Sequence, residues 1–244
     1  METKALKRFE PWVPALIFVV TFLIYSIKAS SFPLWHDEWE MVAAGTLSKV
    51  FEFLRSQVLF TPLYPAINAV IYMMTDGSIY AMRLPHILLG ALWVAFSYNI
   101  LRHLQFQKPL LFTILIATTY IFVHYAQELR QYSYLLIFTL TSIFYGFKVW
   151  VEDSFDVFDI LYLAFAFALL PITHYYAFTH LATLDLAIIV FLLATFSKQT
   201  WKKKLGLLIL INLFIFVSLI AWADNFWATV QLFIGKTSEG MKVY

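Results

Sequence analysis

The sequence predicts an all-α, polytopic membrane protein. Three observations carry that reading: the composition, the length of the uncharged runs, and the placement of the cations between them. Of 244 residues, 61% are hydrophobic and 13% charged, against about 45–50% and about 25% in an ordinary soluble domain. A soluble globular enzyme is therefore excluded. Disorder is excluded too, because it needs low hydrophobicity and high net charge, and this chain carries +2 with 19% aromatics. The seventeen Lys and Arg residues fall in short loops between apolar runs, a pattern that records topology and argues against a nucleic-acid partner. With no cysteine, a disulfide framework, a thiolate zinc site and a cysteine nucleophile are all ruled out.

The first run, Pro11 to Ile27, is long enough to span and no small-residue cleavage site follows it, so it reads as a retained transmembrane helix. Residues 28–82 form the first outer loop with its juxtamembrane helices, an amphipathic helix from Glu38 to Leu54 belonging to the plainer reading of its acidic motif. Residues 56 to 75 are uncharged but interrupted by Pro62 and Pro65. Their helical part, Pro62 to Thr75, would reach about 21 Å, short of a hydrocarbon core of about 30 Å. Leu84 to Leu101, Pro109 to Gln127 and Gln131 to Phe147 each read as one span. From Ile160 the apolar run passes the lone Asp185 and continues to Ser197, about 57 Å of helix and therefore two crossings. Their turn is expected near Pro171-Ile172-Thr173-His174-Tyr175, where proline breaks the pattern. Leu205 to Ala223 closes the series, and residues 205–244 form the last span and outer tail. Seven spans are expected.

The proline-interrupted segment decides orientation. If it does not cross, Lys4, Lys7, Arg8, Arg102, Lys108, Lys148, Lys198, Lys202, Lys203 and Lys204 share the cytoplasmic face, ten of seventeen cations, as the positive-inside rule requires. Crossing would reverse the balance. The N-terminus is thus expected in the cytoplasm of a cell-membrane protein. The 28–61 loop, Arg83, the Glu128–Tyr134 turn and the His174-Tyr175 turn then emerge together outside.

Those four places hold the chemistry. Leu34-Trp35-His36-Asp37-Glu38-Trp39-Glu40 sets adjacent carboxylates between tryptophans, where partial burial raises one pKa while the other stays ionised. The plainer alternative is an interfacial Trp belt with Asp37 capping the next helix. The turn His124-Tyr125-Ala126-Gln127-Glu128-Leu129-Arg130-Gln131-Tyr132-Ser133-Tyr134 is too polar to face lipid. It lines a cavity, or Glu128 and Arg130 snorkel as a pair to the headgroups. Asp185 must be neutral, paired or beside a wet cavity. The six histidines show no metal-ligand spacing, and no Gly-rich phosphate loop exists.

In order along the chain, these motifs resemble the membrane glycosyltransferases of the protein O-mannosyltransferase and aminoarabinose-transferase type, which share the GT-C fold. Leu34-Trp35-His36-Asp37-Glu38 is similar to their first-loop acidic motif, and Thr61-Pro62-Leu63-Tyr64 to the Pro-Pro-Leu-Tyr helix start. Ala81-Met82-Arg83-Leu84-Pro85 resembles the arginine that opens the next helix. Tyr125-Ala126-Gln127-Glu128-Leu129-Arg130-Gln131-Tyr132-Ser133 resembles the Gln-Glu-Ala-Arg-Pro-Tyr-Ser motif, and Thr173-His174-Tyr175-Tyr176 the Thr-His-Tyr turn. Two departures stand out: Phe60-Thr61-Pro62 replaces His-Pro-Pro, and Gln131 replaces a proline. Relatives continue with further helices, so the chain reads as the family's catalytic module, residues 1–244, without its variable C-terminal part.

The resemblance implies transfer of a sugar from a polyprenyl-phosphate donor to a protein, lipid or glycan acceptor, with inversion. It casts Asp37 as general base and Glu38 as its electrostatic neighbour or substitute. Arg83 and Arg130 become phosphate contacts, and Glu128, Tyr132, His174, Tyr175 and Tyr64 substrate-binding residues. Some GT-C enzymes use a divalent metal; the sequence gives no independent reason for one. Two rivals are a transporter or flippase of a lipid-linked substrate, using the same ionisable residues as a relay, and an inactive membrane scaffold. Transporters tend to carry internal repeats, and none is present.

Overall fold

The computed structural model describes residues 10–27, 29, 31, 33–34, 38, 49, 61–152, 154–195 and 201–220. Asp37, the expected amphipathic helix apart from Glu38 and Lys49, and the tail beyond Ile220 lie outside the described residues. Among those residues every regular element is helical. In chain order they are α1 (Val13–Ser26), α2 (Leu63–Met74), α3 (Ile79–His103), α4 (Pro109–Thr118), α5 (Tyr120–Gln127), α6 (Tyr132–Gly146), α7 (Val157–Thr173), α8 (Tyr176–Ala194) and α9 (Trp201–Ile220). A π-helical stretch, Phe147–Glu152, continues α6.

Burial is inverted relative to a water-soluble protein. Leu23 is 58% exposed, Phe165 58% and Leu193 69%, whereas Arg83 is 1% and His86 0% exposed. Apolar surface on that scale needs a lipid solvent, and the charged groups inside mark where function is expected. Among the described residues three helical stretches are long and apolar enough to cross a membrane: Ile79–His103, Tyr132–Glu152 and Tyr176–Ala194. A fourth arises if α4 and α5 count as one bent span.

The helices also depart from the uncharged runs in instructive ways. Helix α1 has 14 residues, about 21 Å, shorter than the run that predicts it. Helix α3 begins at Ile79, ahead of the run starting at Leu84, because Ser78 caps it by accepting the Ala81 N–H at 3.3 Å. It thereby takes Arg83 into its first turns. The expected span from Pro109 to Gln127 breaks by 58° at Thr119. There the Thr118 and Thr119 hydroxyls bond back to the Ile114 and Leu115 carbonyls at 2.8 and 2.6 Å, and Thr119 is extended. The turn expected at Pro171–Tyr175 is observed: α7 ends at Thr173, His174 is extended, and α8 begins at Tyr176.

The described residues fall into two compact units, one drawn from Met1–Gly45 and Asn68–Leu140, the other from Thr46–Ile67 and Thr141–Tyr244. In the first, α1, α4 and α5 pack on α3. Tyr25, Ala29, Ile87, Val94 and Ala126 form its core. Gly90 permits the close approach: a Cβ there would lie 2.7 Å from the Ala126 Cβ and 3.3 Å from the Tyr25 ring.

In the second unit α7 packs on α8 and α9. Asp156 and Asp159 form a capping box at the start of α7, and Asp159 also takes Lys148 Nζ at 2.6 Å. Asp185 finds a partner on α9, where Asn212 Nδ2 donates to its Oδ1 at 3.2 Å. Trp150, fully buried, and Lys204 donate to each other's backbone carbonyls.

Candidate active site

The first unit gathers Glu38 of the acidic motif, the helix-opening arginine and the polar turn. Arg83 Nη2 stands 3.7 Å from Glu38 Oε2, both side chains within 1% of complete burial. Arg83 Nη1 also donates to the Ala29 carbonyl. Glu38 reaches further, its Oε1 accepting the Leu129 N–H at 2.5 Å. One carboxylate thus joins the first loop, α3 and the turn that follows α5. Burying an ion pair is costly unless its remaining hydrogen-bonding sites are used; here a backbone amide takes one carboxylate oxygen and a backbone carbonyl one guanidinium nitrogen.

The turn carries Glu128, 5% exposed, whose Oε1 meets His124 Nε2 at 2.9 Å across one helical turn. The Glu128 carboxylate is buried, with His124 as one of its contacts. Gln127 secures the same segment by donating to the Tyr25 and Ile27 carbonyls at 2.8 and 3.1 Å. Tyr132 stacks on Tyr125 with ring centroids 4.4 Å apart.

Sequence reasoning missed His86. It is wholly buried, its Nδ1 lies 2.8 Å from the Arg130 carbonyl and its Nε2 3.1 Å from Asn68 Oδ1. The Tyr134 ring meets it edge-on at 5.1 Å. The available signal was spacing, since His86 follows Arg83 by three residues and shares its helix face.

The second unit brings together the Thr-Pro-Leu-Tyr and Thr-His-Tyr motifs. Thr61 Oγ1 donates to the Thr173 carbonyl at 2.5 Å. Beside it His174, 3% exposed, accepts the Tyr176 N–H on Nδ1 at 3.0 Å and lies against the Tyr175 and Tyr176 rings. Its neutral form therefore carries the proton on Nε2, and burial pulls its pKa down to about 4. Tyr64 is buried in the same unit. Among the described residues no three metal-ligating side chains cluster.

Apolar helices that turn their charged residues inward define an integral membrane protein with a polar interior site. The match is more specific than that class. The sequence profile of the dolichyl-phosphate-mannose-protein mannosyltransferase family fits residues 60–222, and the chain belongs to that family of membrane glycosyltransferases. No curated protein matches it.

Proposed function

We propose that the chain transfers a sugar from a polyprenyl-phosphate donor to an acceptor hydroxyl on the outer face of the cell membrane, with inversion at the anomeric carbon. The observation that carries the reading is the buried Glu38–Arg83 pair braced against the 128–131 turn. Three polar segments far apart in sequence meet there at the level of single hydrogen bonds. Such an arrangement suits a reaction in which a base, cations and a sugar must be held in register.

Asp37 is the general base, taking the acceptor hydroxyl's proton as the oxygen attacks the anomeric carbon from the side opposite the phosphate. Glu38, fixed by Arg83 and the Leu129 amide, holds the acidic segment in place and keeps a negative charge beside the base. Arg83 and Arg130 supply positive charge to the departing polyprenyl phosphate, for which a guanidinium's parallel donors are suited. Glu128, Tyr132, Tyr64, His174 and Tyr175 contact the substrates. His174, neutral at physiological pH, serves as a hydrogen-bond donor through Nε2 and not as a base. Direct displacement forms no sugar–enzyme intermediate. In this reading the chain has seven spans with its N-terminus inside, and these groups lie on the outer face.

The test is transfer by purified protein in lipid nanodiscs from a labelled polyprenyl-phosphate sugar. Asp37→Asn should lower the rate by about 10²–10⁴-fold, the usual worth of a general base. Undiminished transfer removes Asp37 from the mechanism, and no transfer by either protein favours the transporter or scaffold. Topology is read separately. The absence of native cysteine lets Arg130→Cys and Lys203→Cys be labelled on intact cells with an impermeant maleimide. Labelling at 203 with protection at 130 overturns the orientation.

A further inference from the structure

We propose that His86 is a positioning residue for this transfer, acting through the backbone of the turn that carries Glu128 and Arg130; the proposal rests on the glycosyltransferase reading. Glu128 is extended and the stretch to Gln131 lies outside both α5 and α6, so no helical ladder fixes its path. Two side chains supply what the ladder does not. Glu38 grips the Leu129 N–H at 2.5 Å and His86 the Arg130 carbonyl at 2.8 Å. Between them these bonds bracket the Leu129-Arg130 pair and set the direction in which Arg130 leaves the chain. A carbonyl only accepts, so in either charge state of the ring the proton on this bond belongs to His86 Nδ1.

Asn68, 4% exposed, faces the other nitrogen from α2; with the proton on Nδ1 a neutral ring accepts at Nε2, so the bond that anchors it takes the Asn68 amide turned with its NH2 toward the ring. The edge-on Tyr134 ring bounds it on a further side. His86 sits one helical turn beyond Arg83, so a single face of α3 presents both the cation that holds Glu38 and the imidazole that holds Arg130. A shift of about 1 Å in a positioned group can cost about 10²-fold in rate.

The test separates the donor at Nδ1 from mere filling of space. An asparagine amide Nδ2 lies near the position of imidazole Nδ1, a glutamine amide reaches instead toward Nε2, and phenylalanine keeps the volume without a donor. In the nanodisc assay His86→Phe and His86→Gln should lower kcat about 10–100-fold with the donor KM changed less than threefold. His86→Asn should stay within about fivefold of wild type. Combining His86→Phe with Arg130→Lys should cost little beyond Arg130→Lys alone, because the two act as one unit. Independently of activity, ¹⁵N spectra of histidine-labelled protein should show one Nδ1-protonated ring that disappears in His86→Asn. Equal losses in His86→Asn and His86→Gln, or an Nδ1 without a proton, overturn the proposal. A transferring wild type with His86→Phe within twofold of it overturns the role alone. A wild type that transfers nothing overturns the glycosyltransferase reading and the role with it.

Discussion

Replacing Arg83 with methionine should destabilise the protein more than any exposed substitution, and the geometry gives the size. At 3.7 Å the attraction between unit charges is roughly 4 kcal/mol at an effective dielectric constant of about 20. Removing one partner of a buried pair typically costs about 3–5 kcal/mol, because the remaining charge is left uncompensated. At this chain length each kcal/mol moves the thermal midpoint by about 2–4 °C, so Arg83→Met should lower it by roughly 6–20 °C. Glu38→Gln keeps an oxygen for the Leu129 N–H but not the charge. Adding Glu38→Gln to Arg83→Met should therefore restore part of the loss, since the double variant buries no lone carboxylate. The Ala29 carbonyl loses its arginine donor in both, and that cost cancels in the comparison. Intrinsic-fluorescence melting of the four proteins in nanodiscs closes the cycle. Costs that add within about 0.5 kcal/mol, or an Arg83→Met midpoint within 2 °C of wild type, would refute the argument that this pair is a buried energetic contact.

Gly90→Ala should lower the midpoint by a few degrees: the gain in helix propensity is about 1 kcal/mol, whereas the new Cβ meets a methyl group at 2.7 Å in a region where overpacking costs about 1–3 kcal/mol. A raised midpoint would show that α3 and α5 are not in close contact. His174 makes stability pH-dependent. The unfolded imidazole binds a proton near 6.5 and the folded one only near about 4, so the unfolded state holds more protons between those values. Its contribution is present above pH 6.5, declines as pH falls to about 4 and is then lost; melting from pH 7 to 4 should slope less in His174→Asn, and identical slopes would count against a buried neutral ring. Asp156→Ala removes the cap of α7 and should cost about 1 kcal/mol, seen as roughly fivefold faster hydrogen exchange at the Asp159 amide, whose acceptor is Asp156 Oδ1 at 3.0 Å.

What the sequence disclosed and what it concealed have physical causes. The turn at His174-Tyr175 was legible because Pro171 and a polar pair interrupt a run too long for one crossing. The polar turn at Glu128 was legible because lipid cannot solvate it. The break at Thr119 was not, since hydropathy averages over side chains while the bend comes from two hydroxyls bonding to their own backbone. The partner of Asp185 lies 27 residues away on another helix, beyond any local pattern. His86 stayed hidden for a related reason: its principal partner is the Arg130 carbonyl, and main-chain atoms leave no mark in a string of residue types. Asp37, the residue the resemblance weights most, rests on sequence alone.

Glu38 and His86 take hold of an amide hydrogen and a carbonyl oxygen, atoms that nearly every amino acid possesses. These two bonds consequently do not depend on which side chains positions 129 and 130 bear, although Leu129 itself is buried. Exchanging the guanidinium at 130 for another group leaves both of those bonds available to the main chain.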